Sequence, residues 1–192
     1  MQALVVDNGS RHVGEIASLL VQYGSQVTIL TWDQLTGVGT RSFRFAVLSG
    51  GRGMTIEHHR VDLAPEMELV RNFGKPILGI CLGFELIADV FGGKLNYHEE
   101  RELGLASISI TKQDPIFNGV EQFTAYMAHK WCLEKAPLEL IELARSVSGV
   151  AVFRHQSKPI YGFQFHPEVQ DPPNGGAQLL ENFLQRVVAV RS

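Results

Sequence analysis

Apolar runs with no internal alternation, separated by segments of helical spacing, constrain this chain more than any other feature. Residues 3–6, 27–30, 45–48, 76–80 and 160–165 are such runs. A strand that is apolar on both sides needs cover on both sides, which is how parallel strands are used. Between the runs, residues 13–23 place Ile16, Leu19, Leu20 and Tyr23 on one helical face and stop at Gly24. Residues 61–73 stop at Gly74, and residues 84–91 at Gly92-Gly93. Residues 177–190 close the chain with Leu179, Leu180, Phe183, Leu184 and Val187 on one face. This order predicts an α/β fold, with a doubly wound, mostly parallel sheet and helices on both faces. Residues 105–111 alternate apolar with polar, and 138–143 and 150–153 also read as strands, so a partly antiparallel section is expected between about 94 and 153. Neither a repeat nor a linker interrupts residues 1–192, which are expected to form one domain.

Composition narrows the chemistry. The balance of 17 Lys+Arg against 20 Asp+Glu, with no block of like charge, argues against a nucleic-acid binder. The 2 cysteines, Cys81 and Cys132, lack CxxC spacing, so a disulfide scaffold is not expected and a reducing, cytoplasmic setting is. The start, MQALVVDNGS, has neither the basic residues nor the apolar length of a leader, and no run approaches the ~20 apolar residues of a membrane span.

Two motifs carry reactive groups. In Gly79-Ile80-Cys81-Leu82-Gly83 a buried strand turns sharply into a helix. That is the form of a nucleophile elbow, with cysteine where many hydrolases have serine. The turn would raise the thiol above the sheet and set it at a helix N-terminus, which favours thiolate. The N–H of Leu82 would face a developing oxyanion. In Gln164-Phe165-His166-Pro167-Glu168, His166 ends another buried strand and Glu168 lies on the same side of an extended segment. Cys81, His166 and Glu168 thus suit nucleophile, base and orienter. Ser49-Gly50-Gly51-Arg52-Gly53, after the third strand, lacks the lysine of a phosphate loop but suits a second oxyanion donor. Cys132 reads as a buried structural thiol. His12, His58, His59, His98 and His155 read as surface or loop residues, and no metal site is expected.

Together, Gly79–Gly83, Gln164–Val169 and Leu48–Gly51 resemble the three signatures of the class I, triad-type glutamine amidotransferases. Among its branches the likeness is greatest to the free-standing glutaminase subunit of GMP synthetase, with anthranilate synthase glutaminase subunits and independent γ-glutamyl hydrolases as the alternatives. The resemblance implies a flavodoxin-like sheet and a glutaminase that needs no cofactor. Cys81 would attack the side-chain amide of L-glutamine, and His166, oriented by Glu168, would move the protons. Gly51 and Leu82 would hold the oxyanion, and Gly50, Gly83, Glu85, Ala128 and His129 would contact substrate. The ammonia would pass to a synthetase (ATP pyrophosphatase) subunit. In two places the chain departs from the family. Glu85 stands where a glutamine is usual, and Trp131 where the branch usually has the aspartate that faces the substrate's α-ammonium. Glu85 is therefore expected to take that ammonium.

Overall fold

A computed structural model describes residues 1–191. The elements run β1 (Gln2–Asn8), α1 (Val13–Gln22), β2 (Gln26–Thr31), β3 (Phe45–Gly51), α2 (Ile56–His59), α3 (Ala64–Asn72), β4 (Ile77–Ile80) and α4 (Leu82–Val90). There follow β5 (Leu95–Ile110), β6 (Phe123–Leu133), β7 (Leu140–Ser146), β8 (Gly149–His155), β9 (Ile160–Phe163) and α5 (Gly176–Phe183). A single 9-stranded sheet has the order β2-β1-β3-β4-β9-β8-β7-β5-β6. From β2 to β9 the neighbours are parallel, and from β9 to β6 they are antiparallel.

The parallel half follows from the double-sided apolar runs. Ala3 and Val5 face one core with Ile16, Leu20 and Phe183, while Leu4 and Val6 face a second with Val70, Leu86 and Ile87. Phe45 and Val47 divide from Ala46 and Leu48 in the same way. Successive side chains point to opposite faces, so a strand between two helical layers must be apolar throughout.

The antiparallel half is larger than expected. β5 begins at Leu95, well before the alternating stretch, and β6 is a strand that the sequence pattern does not announce. These two form a ribbon whose outer part lacks a covering layer. Residues 98–101 are exposed, as are Tyr97 and Leu103, so selection for alternating apolar residues is weak there. The second long helix starts at Ala64, with Pro65 in its first turn, rather than at 61. The last gives way after Phe183 to a π turn, Leu184–Val188. Among the described residues, no helix is long and apolar enough to cross a membrane.

The strand order positions the site. β4 lies between β3 and β9, with Leu48 beside Gly79 and Gly79 beside Gly162. The carboxyl ends of these strands are therefore adjacent, although β5 to β8 intervene in sequence between β4 and β9. Ligands of open α/β sheets bind at that edge.

Candidate active site

Cys81 has φ 51° and ψ −103°, and it is the sole non-glycine with positive φ among the described residues. Such a backbone persists only when its surroundings hold it. Its N–H donates to the Phe163 carbonyl at 2.8 Å, and its carbonyl accepts from the Glu85 N–H at 2.9 Å. The flanking glycines are required by close approach. A Cβ at Gly79 would stand 2.4 Å from the Gly83 carbonyl oxygen, and one at Gly83 would stand 2.4 Å from that of Leu48. The elbow is thus packed backbone to backbone between β3, β4 and α4. Cys81 caps the N-terminus of α4, where the helix dipole favours negative charge on sulfur.

His166 follows β9, and its N–H donates to the Tyr126 carbonyl at 2.9 Å. Its Nδ1 lies 2.8 Å from Glu168 Oε1. Both side chains are buried. Burial alone would lower the imidazole's pKa. The charge of Cys81 and its hydrogen bond to the ring, followed by the hydrogen bond and charge of Glu168, outweigh that and hold it well above 6.5. Both partners thus favour the protonated ring. A Cβ built on Gly50 would lie 3.0 Å from His166 Cε1 and 3.4 Å from Cys81 Cβ, so the Gly50 backbone closes one side of the pair.

Cys81 and His166 open into a cavity of about 620 Å³, whose wall includes Gly51, Leu82, Glu85, Ala128 and His129. Gly50 and Gly83, expected as substrate contacts, are not on that wall. Both are buried, and close approach explains each: a Cβ at Gly83 would meet the Leu48 backbone, and one at Gly50 the His166 ring. Glu85 is buried and accepts a hydrogen bond from Gln164 Nε2 at 3.3 Å. Burial pushes its carboxyl up to about 8, against the opposing pull of Gln164 and His166. At neutral pH it is mainly the uncharged acid. His129 is held by the Trp131 carbonyl at Nδ1, 3.1 Å away, and by Glu102 at Nε2, 3.3 Å away.

The structure adds residues that sequence reasoning missed. Arg11 and His12 reach the cavity from the loop after β1. The His12 and His166 rings are 6.1 Å apart, so this loop residue, part exposed as expected, stands beside the imidazole. The signal was available, because that loop leaves the same carboxyl edge. His155, by contrast, is no loop residue. It is buried at the end of β8, where its Nδ1 accepts from the Ser157 and Lys158 N–H groups. Arg101 and Lys130 line the cavity from the β5–β6 ribbon, which no local pattern announced, and Trp131 lies beside them on the wall, at the substrate side where the resemblance puts it. Cys132 is buried, and its Sγ lies 3.6 Å from His129 Nδ1.

The family model for glutamine amidotransferase class-I matches residues 4–187, nearly the whole chain. The chain belongs to that family. Among relatives of this amidotransferase, the glutamine-hydrolyzing GMP synthase subunit of Methanocaldococcus jannaschii is 33% identical over 184 residues, covering 94% of each protein. The glutamine-hydrolyzing GMP synthase of Thermosipho melanesiensis is 32% identical over 186 residues, but the chain spans only 36% of that longer protein. A crystal structure from Thermoplasma acidophilum, of a protein provisionally assigned as one subunit of GMP synthase, superimposes with a TM-score of 0.87 at 27% identity. It covers 100% of this chain and 96% of that one.

Proposed function

We propose that this amidotransferase is the glutaminase component of a GMP-forming pair, hydrolysing the side-chain amide of L-glutamine and delivering ammonia to a separate ATP-dependent synthetase subunit. The observation that carries the reading is that Cys81 and His166 line one cavity, with His166 Nδ1 2.8 Å from the buried Glu168 carboxylate and the Gly50 backbone packed against both the His166 ring and Cys81 Cβ. The length-matched likeness to a free-standing GMP synthase subunit supports the branch. In this reading Cys81 Sγ attacks the amide carbon, and the Gly51 and Leu82 N–H groups receive the oxyanion. As the C–N bond breaks, His166 gives its proton to the departing ammonia, leaving a thioester. Water then loses a proton to His166 and attacks the thioester. Glutamate leaves, and the Cys81 thiolate is restored beside the protonated His166. Glu168 holds the ring throughout. The test is ammonia release from glutamine with and without an ATP-dependent GMP synthetase subunit. The rate is expected to rise markedly on addition, and an unchanged rate overturns the pairing.

In the same reading Glu85 receives the substrate's α-ammonium. Its proton must leave first, since binding a cation requires the carboxylate and the free group titrates near 8. As pH rises toward 8 more of the group is ionised, so KM for glutamine is expected to fall over that range. Glu85→Gln is expected to raise KM roughly 10-fold with kcat little changed, the effect of losing binding common to ground and transition states. It should also flatten the pH dependence. Steady-state kinetics across pH check both, and an unchanged or lower KM in the variant overturns the assignment.

The cavity wall favours one second reading. Arg52, Arg101 and Lys130 meet there, which suits a γ-glutamyl conjugate whose leaving amine carries carboxylates. Such a hydrolase would act on γ-glutamyl dipeptides at full rate without a partner.

A further inference from the structure

One wholly buried carboxyl takes no part in the chemistry above. Glu66, in the first turn of α3, accepts at Oε1 a hydrogen bond from Asn8 Nδ2 at 3.0 Å. The same Asn8 nitrogen donates to the Ser49 carbonyl at 3.2 Å. The Asn8 backbone N–H donates to Ser49 Oγ at 2.9 Å, and Ser49 Oγ donates to the Gly50 carbonyl at 2.7 Å. Asn8 and Ser49 are wholly buried as well, and Asn8 is the register partner of Gly51 across the β1–β3 ladder. A continuous set of bonds thus runs from α3, through the end of β1, into the backbone that closes over Cys81 and His166.

Packing has no need of an acid at this place. Burial pushes the Glu66 carboxyl up to about 8, and the Asn8 amide offsets only part of that. An apolar side chain of similar volume would fill the space without the desolvation. What only an acceptor supplies is the bond to Asn8. The segment it reaches, Gly50-Gly51, has no side chains with which to anchor itself, so its hydrogen bonds determine where it stands.

We propose that Glu66 is a positioning residue for amide hydrolysis: acting through Asn8 and Ser49, it sets the Gly50-Gly51 backbone at the height where the Gly51 N–H meets the oxyanion. This rests on Gly51 being an oxyanion donor in the reaction described above. It extends the site beyond the cavity wall to a helix that touches neither substrate nor sulfur.

Two substitutions separate hydrogen bonding from packing. Glu66→Gln keeps a carbonyl oxygen facing Asn8, whereas Glu66→Leu fills the space and accepts nothing. The glutamine variant is expected to hydrolyse glutamine within about twofold of wild type. The leucine variant is expected to lose roughly 10- to 100-fold in kcat with KM little changed, less than the roughly 10²–10³ that removal of a whole oxyanion donor costs. Alkylation of Cys81 by iodoacetamide, followed by mass spectrometry, should proceed at the wild-type rate in both, because the thiol–imidazole pair is untouched. Ser49→Ala removes the hydroxyl bridge from the Asn8 N–H to the Gly50 carbonyl, leaves Glu66 and the Asn8 amide bond to the Ser49 carbonyl in place, and should lower kcat with KM little changed, which keeps the test open if the leucine variant does not fold. Wild-type kcat in Glu66→Leu or Ser49→Ala, slowed alkylation in step with kcat, or equal losses in the glutamine and leucine variants would each overturn the proposal. If the wild-type protein releases no ammonia from glutamine or γ-glutamyl amides, the functional reading itself fails. An active wild type beside an unaffected leucine variant defeats only this inference.

Discussion

Cys81→Ala is expected to lower glutamine hydrolysis by at least about 10⁴-fold without unfolding the protein, because single removals within a triad cost nearly as much as removal of the whole. The sulfur is the one atom at the elbow able to form the acyl intermediate, and alanine leaves His166 with nothing to activate. Alanine also leaves the close approach at Gly79 and Gly83 undisturbed. The measurement is ammonia release beside a thermal melt. Cys132→Ala is the control: that thiol is buried, with burial pushing it up, so activity should persist. Residual activity above about 1% in Cys81→Ala would assign the nucleophile elsewhere.

Gly79→Ala is expected to destabilise the fold by on the order of 3 kcal/mol, a large effect for one methyl group. The added carbon would stand 2.4 Å from the Gly83 carbonyl oxygen and 2.6 Å from Ile87 Cδ1. The oxygen belongs to the backbone of α4, so relief requires the helix to move away from β4, taking Cys81 with it. The loss of stability should therefore be accompanied by a loss of activity in the fraction that remains folded. Gly14→Ala makes the contrast. It lies inside α1, and nothing stands within 4 Å of its Cβ position. Alanine is favoured over glycine in a helix, and a gain of about 0.5–1 kcal/mol is expected. Denaturant unfolding measures both; equal effects in the two variants would mean that the close packing at the elbow is not what makes Gly79 necessary.

Much of the site lay in local patterns. Cys81 could be read because a strand, a glycine-flanked turn and a helix are adjacent in sequence, and the elbow is a local structure. His166 and Glu168 could be read because the end of a buried strand and the spacing of an extended segment are also local. The ribbon was legible in its inner part only. Residues 105–111 alternate, but 98–101 are polar and exposed without a break and give no period. Glu66 was invisible for a different reason. In the sequence it is one acid in an amphipathic helix, which ordinarily faces solvent, and only the approach of Asn8 from β1 gives it a task.

The order of apolar runs and glycine turns was enough to specify the layered α/β class and to single out Cys81 and His166 as the proposed nucleophile and base, since each depends on side-chain periodicity or on the steric demands of a single turn. The place of β4 between β3 and β9 was not legible, nor was the composition of the cavity wall or the support beneath Gly50-Gly51. Strand order and the convergence of remote loops depend on which distant surfaces bury one another best, and that choice is made among whole elements rather than along the chain.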